Sequence, residues 1–386
     1  MFLDFDHTSE QETVRKMVRD FVAKEITPNA AEWDREEKFP WDVWKKMGDT
    51  GIIGTVIPEE YDGSGMDNIT HAIVAEELGY GCTSMRGTYS VQVSLVAKTI
   101  LAYGTEEQKQ KYLPGMALGS IIGCYGLTEP DSGSDAASMS STAEEDGDYY
   151  ILNGNKMWIT NAGIADVAMV FAKTDKSAGA RGITAFLVEK DTPGYSTEKI
   201  HHKLGLRASD TSEIILDNVR VHKDCILGEK GKGFRVALAA LDNARFTVAA
   251  GCVGAAQSAL DTAKQYAKDR VQFGKPIAGH QLVQQLIANM VLDIECGRLL
   301  VYRAGHMKNK KVPNTRETSL AKYFCTEMVN RVAYNAIQVL GGYGFSGEYP
   351  LERIYRDARV NTLYEGTSQI QQLILGNIEL GISAFV

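Results

Sequence analysis

The sequence predicts an α+β multidomain fold: an N-terminal all-α domain (residues 1–122), a middle β-barrel or sandwich (123–230) and a C-terminal helical bundle (231–386). Three observations carry this. Apolar residues recur at helical spacing at both ends of the chain, they switch to strand-like alternation in between, and Gly, Asp and Ser clusters punctuate that middle part. A length of 386 residues also exceeds one ordinary domain and supplies core for two or three.

The first helix is announced by Ser9-Glu10-Gln11-Glu12, a capping-box pattern. Val14, Met17, Val18, Phe21 and Val22 then repeat at helical spacing, and Pro28 stops the run. Helical character continues to about Leu118, and from about Gly123 the period shortens. Asp148-Tyr149-Tyr150-Ile151-Leu152 and Lys156-Met157-Trp158-Ile159-Thr160 read as the arms of a hairpin turning at Asn153-Gly154-Asn155. Residues 167–171, 183–188 and 213–216 read as further strands, spaced for a barrel or sandwich and not for βαβ units. After Gly233 the helical period returns. Leu282, Leu286, Met290 and Ile294 recur at i+4 beside Val283, Ile287 and Val291, a stripe broad enough for a helix buried on much of its surface. A second long helix is expected over 319–340, capped by Gly341-Gly342.

Composition excludes several function classes. A net charge of -8 without a Lys/Arg stripe argues against nucleic-acid binding. The N-terminus carries no apolar signal core, and no apolar run approaches the roughly 18 residues of a membrane helix. Cys82, Cys124, Cys225, Cys252, Cys296 and Cys325 have neither metal nor disulfide spacing and read as reduced thiols of a cytosol-like compartment. No HExxH, P-loop or GxSxG nucleophile elbow is present, and no metal is expected.

The residues that suggest chemistry are few. In Tyr364-Glu365-Gly366-Thr367-Ser368-Gln369, one carboxylate lies between Leu363 and the apolar run of Ile370, Leu373, Ile374 and Leu375. Desolvation there would raise its pKa toward that of a general base. Taken alone, the segment also reads as a helix N-terminus with Thr367 or Ser368 as cap and Glu365 solvated. The stretch 125–135, with Tyr125, Leu127, Thr128, Gly133 and Ser134, is rich in glycine and hydroxyls and could wrap a polar cofactor or form a long turn. Strand alternation puts Trp158 and Thr160 on one face, a flat ring beside a hydroxyl. Residues 342–347 match GxGxxG but follow a helix, so a Rossmann reading is rejected. Arg86 precedes an apolar helix over 91–100 and must be paired, by a ligand carboxylate or by Glu76 or Glu77.

Six segments in order resemble the acyl-CoA dehydrogenase family of flavoproteins, over about residues 5–380. They are Tyr125-Gly126-Leu127-Thr128-Glu129-Pro130, Gly133-Ser134-Asp135, Met157-Trp158-Ile159-Thr160-Asn161, Asp269-Arg270-Val271-Gln272-Phe273-Gly274, Gln338-Val339-Leu340-Gly341-Gly342 and Tyr364-Glu365-Gly366-Thr367. The resemblance implies a helical domain, a β-barrel domain and a four-helix bundle assembled as a homotetramer, a dimer of dimers. It implies FAD contacted by Tyr125, Leu127, Thr128, Gly133, Ser134, Trp158, Thr160, Gly341, Thr367 and Gln369, with Arg270, Phe273, Gln338 and Gly342 reaching it from a neighbouring subunit. An acyl-CoA would pass Ser134, Phe234, Leu238, Asp242 and Arg245 to reach Tyr364 and Gly366. Glu365 would remove the α-proton, its backbone N–H would bind the thioester carbonyl, and electrons would pass to an electron-transferring flavoprotein.

Within the family, the sequence is most similar to the glutaryl-CoA dehydrogenases. The likeness lies in Arg86 with Ser90-Val91-Gln92-Val93-Ser94-Leu95, in Leu206-Arg207-Ala208-Ser209 and in Leu241-Asp242-Asn243-Ala244-Arg245. There the arginine matching Arg86 binds a distal carboxylate, a task suited to a bidentate guanidinium. Decarboxylating members carry a glutamate seven residues earlier, where this chain has Gly79, although Tyr364 matches them. Benzylsuccinyl-CoA, alicyclic and short or branched acyl-CoA stand as alternative substrates, a non-catalytic scaffold or an acyl-CoA oxidase as alternative classes. The expected compartment is a bacterial cytoplasm or, for a processed form, the mitochondrial matrix.

Overall fold

The computed structural model describes residues 6–384. Its N-terminal part holds α1 (Ser9–Phe21), α2 (Ala30–Glu36), α3 (Trp41–Asp49), α4 (Asn68–Gly81), α5 (Thr83–Ser90), α6 (Lys98–Tyr103) and α7 (Glu106–Ala117). The capping box lies one residue earlier than expected: Thr8 and Gln11 exchange the two bonds. α5 and α6 are joined without a break by a π-helical segment, Val91–Ala97, where an α-helix was expected.

The middle part is a seven-stranded sheet of β1 (Gly123–Gly126), β2 (Thr142–Asp146), β3 (Tyr149–Thr160), β4 (Val167–Lys173), β5 (Ile183–Glu189), β6 (Tyr195–Lys199) and β7 (Thr211–His222). The order is β1-β4-β2-β3-β7-β6, with β5 antiparallel to β4. The expected hairpin at Asn153-Gly154 is wrong. β3 runs straight through it with a bulge, and Gly154 (φ +139°) is needed because a Cβ would lie 2.3 Å from Ser141 Oγ. The turn falls instead at Gly147 (φ +62°), joining β2 to β3.

The C-terminal part holds α8 (Gly233–Asp269), a small hairpin of β8 (Val271–Gln272) and β9 (Lys275–Pro276), then α9 (Gln281–Asn309), α10 (Thr315–Leu340), α11 (Leu351–Val360) and α12 (Ser368–Leu380). α10 begins four residues before the expected start and ends as expected at Gly341 (φ +62°). α9 departs from expectation. Met290 and Ile294 are buried, but Leu282 is 75% exposed and Val291, Leu292 and Leu299 also face outward. Those residues lie on a face that no other helix covers among the described residues.

α8 is the central element. By length and composition it could cross a membrane, contrary to the expectation that no apolar stretch is long enough. Here it is a core helix packed against α4, α9 and α10. Small residues let it lie against α4 backbone to backbone. A Cβ on Gly79 would sit 2.3 Å from Gly251 O, and one on Gly254 would sit 1.8 Å from Glu76 O. A second core around Val91, Leu95, Tyr125, Leu127, Ala240 and Ala244 joins α8 to the π segment and β1. Gly254→Ala is therefore expected to cost at least about 2 kcal/mol by overpacking, read as a lowered Tm in calorimetry.

Candidate active site

Glu365 lies in the turn between α11 and α12, with φ +54°, followed by Gly366 at φ +89°. A left-handed non-glycine residue costs of order 1–3 kcal/mol and persists only where its surroundings enforce it. They do so here. Arg245 Nε from α8 donates to Glu365 O (2.9 Å), Lys322 Nζ from α10 donates to Gly366 O (2.7 Å), and Gln371 Nε2 reaches both carbonyls. Thr367 caps α12 through Ile370 N. Glu365 Oε2 is buried without a partner, and the Glu365 N–H makes no hydrogen bond among the described residues. Burial pushes the carboxyl up to about 7, against the pull of Arg86, Lys322 and Arg245. Burial also lowers Lys322 to about 8. The solvated-cap reading of Glu365 thus fails, while Thr367 as the cap holds.

Arg86 on α5 is 1% exposed. Its Nη2 donates to Asn361 Oδ1 (2.9 Å) and to the Tyr364 hydroxyl (2.8 Å), and its Nε is buried without a partner. Glu76 and Glu77, the internal partners considered, are engaged elsewhere: Glu77 with Arg19 and Arg15, Glu76 with Arg298, Arg15 and Tyr302. One turn after Arg86, Ser90 Oγ is also buried and unpartnered. Between them Gly87 is buried, yet nothing lies within 4 Å of where its Cβ would sit. Beneath the guanidinium, burial raises the Cys252 thiol to about 11, so it stays protonated.

The face of α8 expected to guide a substrate is most open at Leu238. Leu238 is 47% exposed, Phe234 and Asp242 are half-buried, and Arg245 is buried. Asp242 binds Arg245 Nη1 (2.7 Å) and accepts from Thr315 Oγ1 (2.9 Å).

Across the cleft, Tyr125 OH donates to Ala237 O on α8 (3.1 Å) and Leu127 is buried in the second core. The loop after β1 is fixed by a buried ion pair, Lys156 Nζ to Glu129 Oε1 at 2.7 Å. Glu129 also accepts from Ser140 Oγ (2.6 Å) and Ser141 N (3.0 Å). Burial alone would raise the Glu129 carboxyl, but Lys156 and the serine donors hold it down to about 2. Beyond Lys156, β3 bulges and Trp158 takes φ +64° with 61% exposure. The bulge breaks strict alternation, so the expected reason for Trp158 and Thr160 sharing a face does not hold; both flank the buried Ile159. The side-chain hydroxyls of Thr128, Ser134 and Thr160 make no hydrogen bond among the described residues, and Gly133 borders open space.

Arg270, Gln338, Gly341 and Gly342 lie apart, lining an open depression of about 570 Å³ at the far end of α8, with Phe273 95% exposed on the hairpin beside it. At roughly 1.5 Å per residue, the end of α8 at Asp269 is about 36 Å along the helix from Arg245. Gln369 is exposed on the first turn of α12. Sequence reasoning gave no role to Asn161, Lys322, Asn361, Gln371 or the Glu129–Lys156 pair. Asn161 is buried and ties β3 to Gly123 O (3.3 Å) and Thr88 O (3.4 Å). Lys156 had a signal: a charge at an inward strand position.

Three family models match in succession: the acyl-CoA dehydrogenase N-terminal domain over residues 8–120, the middle domain over 124–219 and the C-terminal domain over 231–379. The chain belongs to the acyl-CoA dehydrogenase family. It is a flavoprotein oxidoreductase acting on acyl-CoA. It is 44% identical to a glutaryl-CoA dehydrogenase of Desulfococcus multivorans, over 98% of this chain and 99% of that one. It is 42% identical to a short-chain-specific acyl-CoA dehydrogenase of Clostridium acetobutylicum, over 97% and 98%. Among solved structures, a glutaryl-CoA dehydrogenase with glutaryl-CoA matches with TM-score 0.96 and 44% identity, covering 98% of this chain and 97% of that one. The Mycobacterium smegmatis glutaryl-CoA dehydrogenase with FADH2 gives 0.94 and 37%, again over 98% and 97%. A chain from the Acidaminococcus fermentans electron transferring flavoprotein structure gives 0.96 and 41%, over 98% and 100%.

FAD is the family's cofactor. The residues present fit it: unpartnered hydroxyls on Thr128, Ser134 and Thr160, an exposed indole face on Trp158, and an open glycine at 133. Breaking the pair beneath this loop leaves one buried charge alone, a loss of about 3–5 kcal/mol. Glu129→Gln and Lys156→Met should each lower Tm markedly, and the double variant should lose less than the sum, as a double-mutant cycle by calorimetry would report.

Proposed function

We propose that the protein dehydrogenates the α,β bond of a carboxylated acyl-CoA, of which glutaryl-CoA is the type, and releases a product that keeps its carboxylate. The observation that carries the reading is Arg86: a buried guanidinium with two neutral partners and an unpartnered Nε, beside an unpartnered carboxylate on Glu365. A buried charge of this kind calls for an anion, and the Ser90 hydroxyl one turn on offers that anion a further donor.

In this reading Glu365, as carboxylate, takes the α-proton, and its N–H donates to the thioester carbonyl, where negative charge grows. Arg245 and Lys322 hold that N–H and the carboxylate in register by gripping the turn from α8 and α10. FAD, when bound, supplies the acceptor for the β-hydride. Thr128, Ser134, Trp158, Thr160, Thr367 and Gln369 would hold it. Leu238, Phe234 and Asp242 would lead the CoA chain inward, and Tyr364 with Gly366 would border the acyl group. Retention of the carboxylate is supported at Gly79, where a side chain has no room against Gly251. No residue there can take the place of the acid of decarboxylating relatives, and loss of CO2 would leave Arg86 unpaired.

Two further elements belong to the proposal. A homotetramer would cover the apolar face of α9 and bring Arg270, Phe273, Gln338, Gly341 and Gly342 to the cofactor of a neighbouring subunit. An electron-transferring flavoprotein would reoxidise the flavin. A second reading has one observation in its favour: the empty space at Gly87 suits a wider acyl group, such as benzylsuccinyl-CoA.

Anaerobic titration following the flavin absorbance tests this. Glutaryl-CoA should bleach the wild type, with product mass showing the carboxylate retained, and butyryl-CoA should act weakly. Arg86→Ala should raise KM for glutaryl-CoA by about a hundredfold, the cost of a lost buried charge pair, and affect butyryl-CoA far less; equal effects would make Arg86 structural. Glu365→Gln should keep FAD but lose turnover. In stopped flow, flavin reduction should rise about tenfold per pH unit up to about 7 and then level off, because the base acts only when ionised.

A further inference from the structure

Asn361 at the end of α11 is 1% exposed and uses every hydrogen-bonding position of its amide. Its Oδ1 accepts from Arg86 Nη2 (2.9 Å) and from the Tyr364 hydroxyl (2.6 Å). Its Nδ2 donates to Asp357 O (3.1 Å) and Ala358 O (3.2 Å), the last turn of its own helix. A guanidinium can only donate, so the oxygen must face Arg86 and the amide has one orientation. The two side chains that border the acyl site from α5 and from the Glu365 turn thus share one neutral acceptor.

Neutrality is the informative property. An aspartate here would accept the same two bonds, and it would also cancel the Arg86 charge from inside the protein. With Asn361 in place, Arg86 forms no ion pair with any described carboxylate. We infer that Asn361 is the positioning residue that sets preference for carboxylated acyl-CoA: it fixes the Arg86 guanidinium and the Tyr364 hydroxyl while leaving the guanidinium charge for the substrate. This rests on the reading of Arg86 as the substrate-carboxylate ligand.

The test compares wild type, Asn361→Asp and Asn361→Ala as FAD-loaded enzymes, with a ferrocenium salt as electron acceptor. The readout is the ratio of kcat/KM for glutaryl-CoA to that for butyryl-CoA. Asn361→Asp should lower the ratio about tenfold or more, chiefly through KM for glutaryl-CoA, since internal neutralisation competes with the substrate carboxylate. Asn361→Ala keeps the charge but frees the guanidinium and should lower the ratio less; it also supplies the answer if the aspartate variant does not fold. Equal losses on both substrates in both variants would make Asn361 a structural residue and overturn the inference alone. A wild type without preference for glutaryl-CoA would overturn the Arg86 reading, and this inference with it.

Discussion

Backbone contact between α4 and α8 is the constraint from which the site follows. Gly79, Gly251 and Gly254 remove the side chains that would hold the two helices apart. With the helices this close, α5 follows directly on α4 and lays Arg86 over Gly251, whose Cβ would fall 2.5 Å from the guanidinium Nε. The same long helix supplies Arg245 to the Glu365 turn six residues before Gly251, where it meets Arg86, and seven before Cys252. A bulkier interface would separate Glu365 from Arg86 and give both to water.

Exclusion of water governs the electrostatics. Glu365 has three cationic neighbours and still sits near neutrality, because none of them forms a direct ion pair with it and burial outweighs their field. Glu129 is the opposite case. It too is buried, but Lys156 and the serine donors touch it and keep it ionised far into acid. One carboxylate is left unsatisfied, the other saturated.

Much of this was legible in the sequence. The helix–sheet–helix order, the long C-terminal helices and the isolation of Glu365 in an apolar segment followed from periodicity and local composition. Asn153-Gly154 misled because a glycine that permits a bulge and one that permits a turn look alike; Gly147-Asp148, just upstream, was the turn. β2 and β6 escaped because Glu144, Glu145 and Glu198 face solvent on strands whose pairing is settled by distant partners. The roles of Asn361 and Lys322 depend on contacts between residues far apart in the chain, which no local pattern encodes. The outward half of the α9 stripe reads as core because a sequence does not say whose surface will cover it.

The bulge that turns Trp158 outward has an optical consequence. The chain's other three tryptophans, Trp33, Trp41 and Trp44, all lie in α2 and α3 of the N-terminal part. Trp158 is thus the sole indole of the sheet, largely in water, at the edge of the cleft that fits a flavin. Its emission is a built-in gauge of that cleft: red-shifted while solvent surrounds the ring, and quenched by energy transfer whenever an isoalloxazine lies against it.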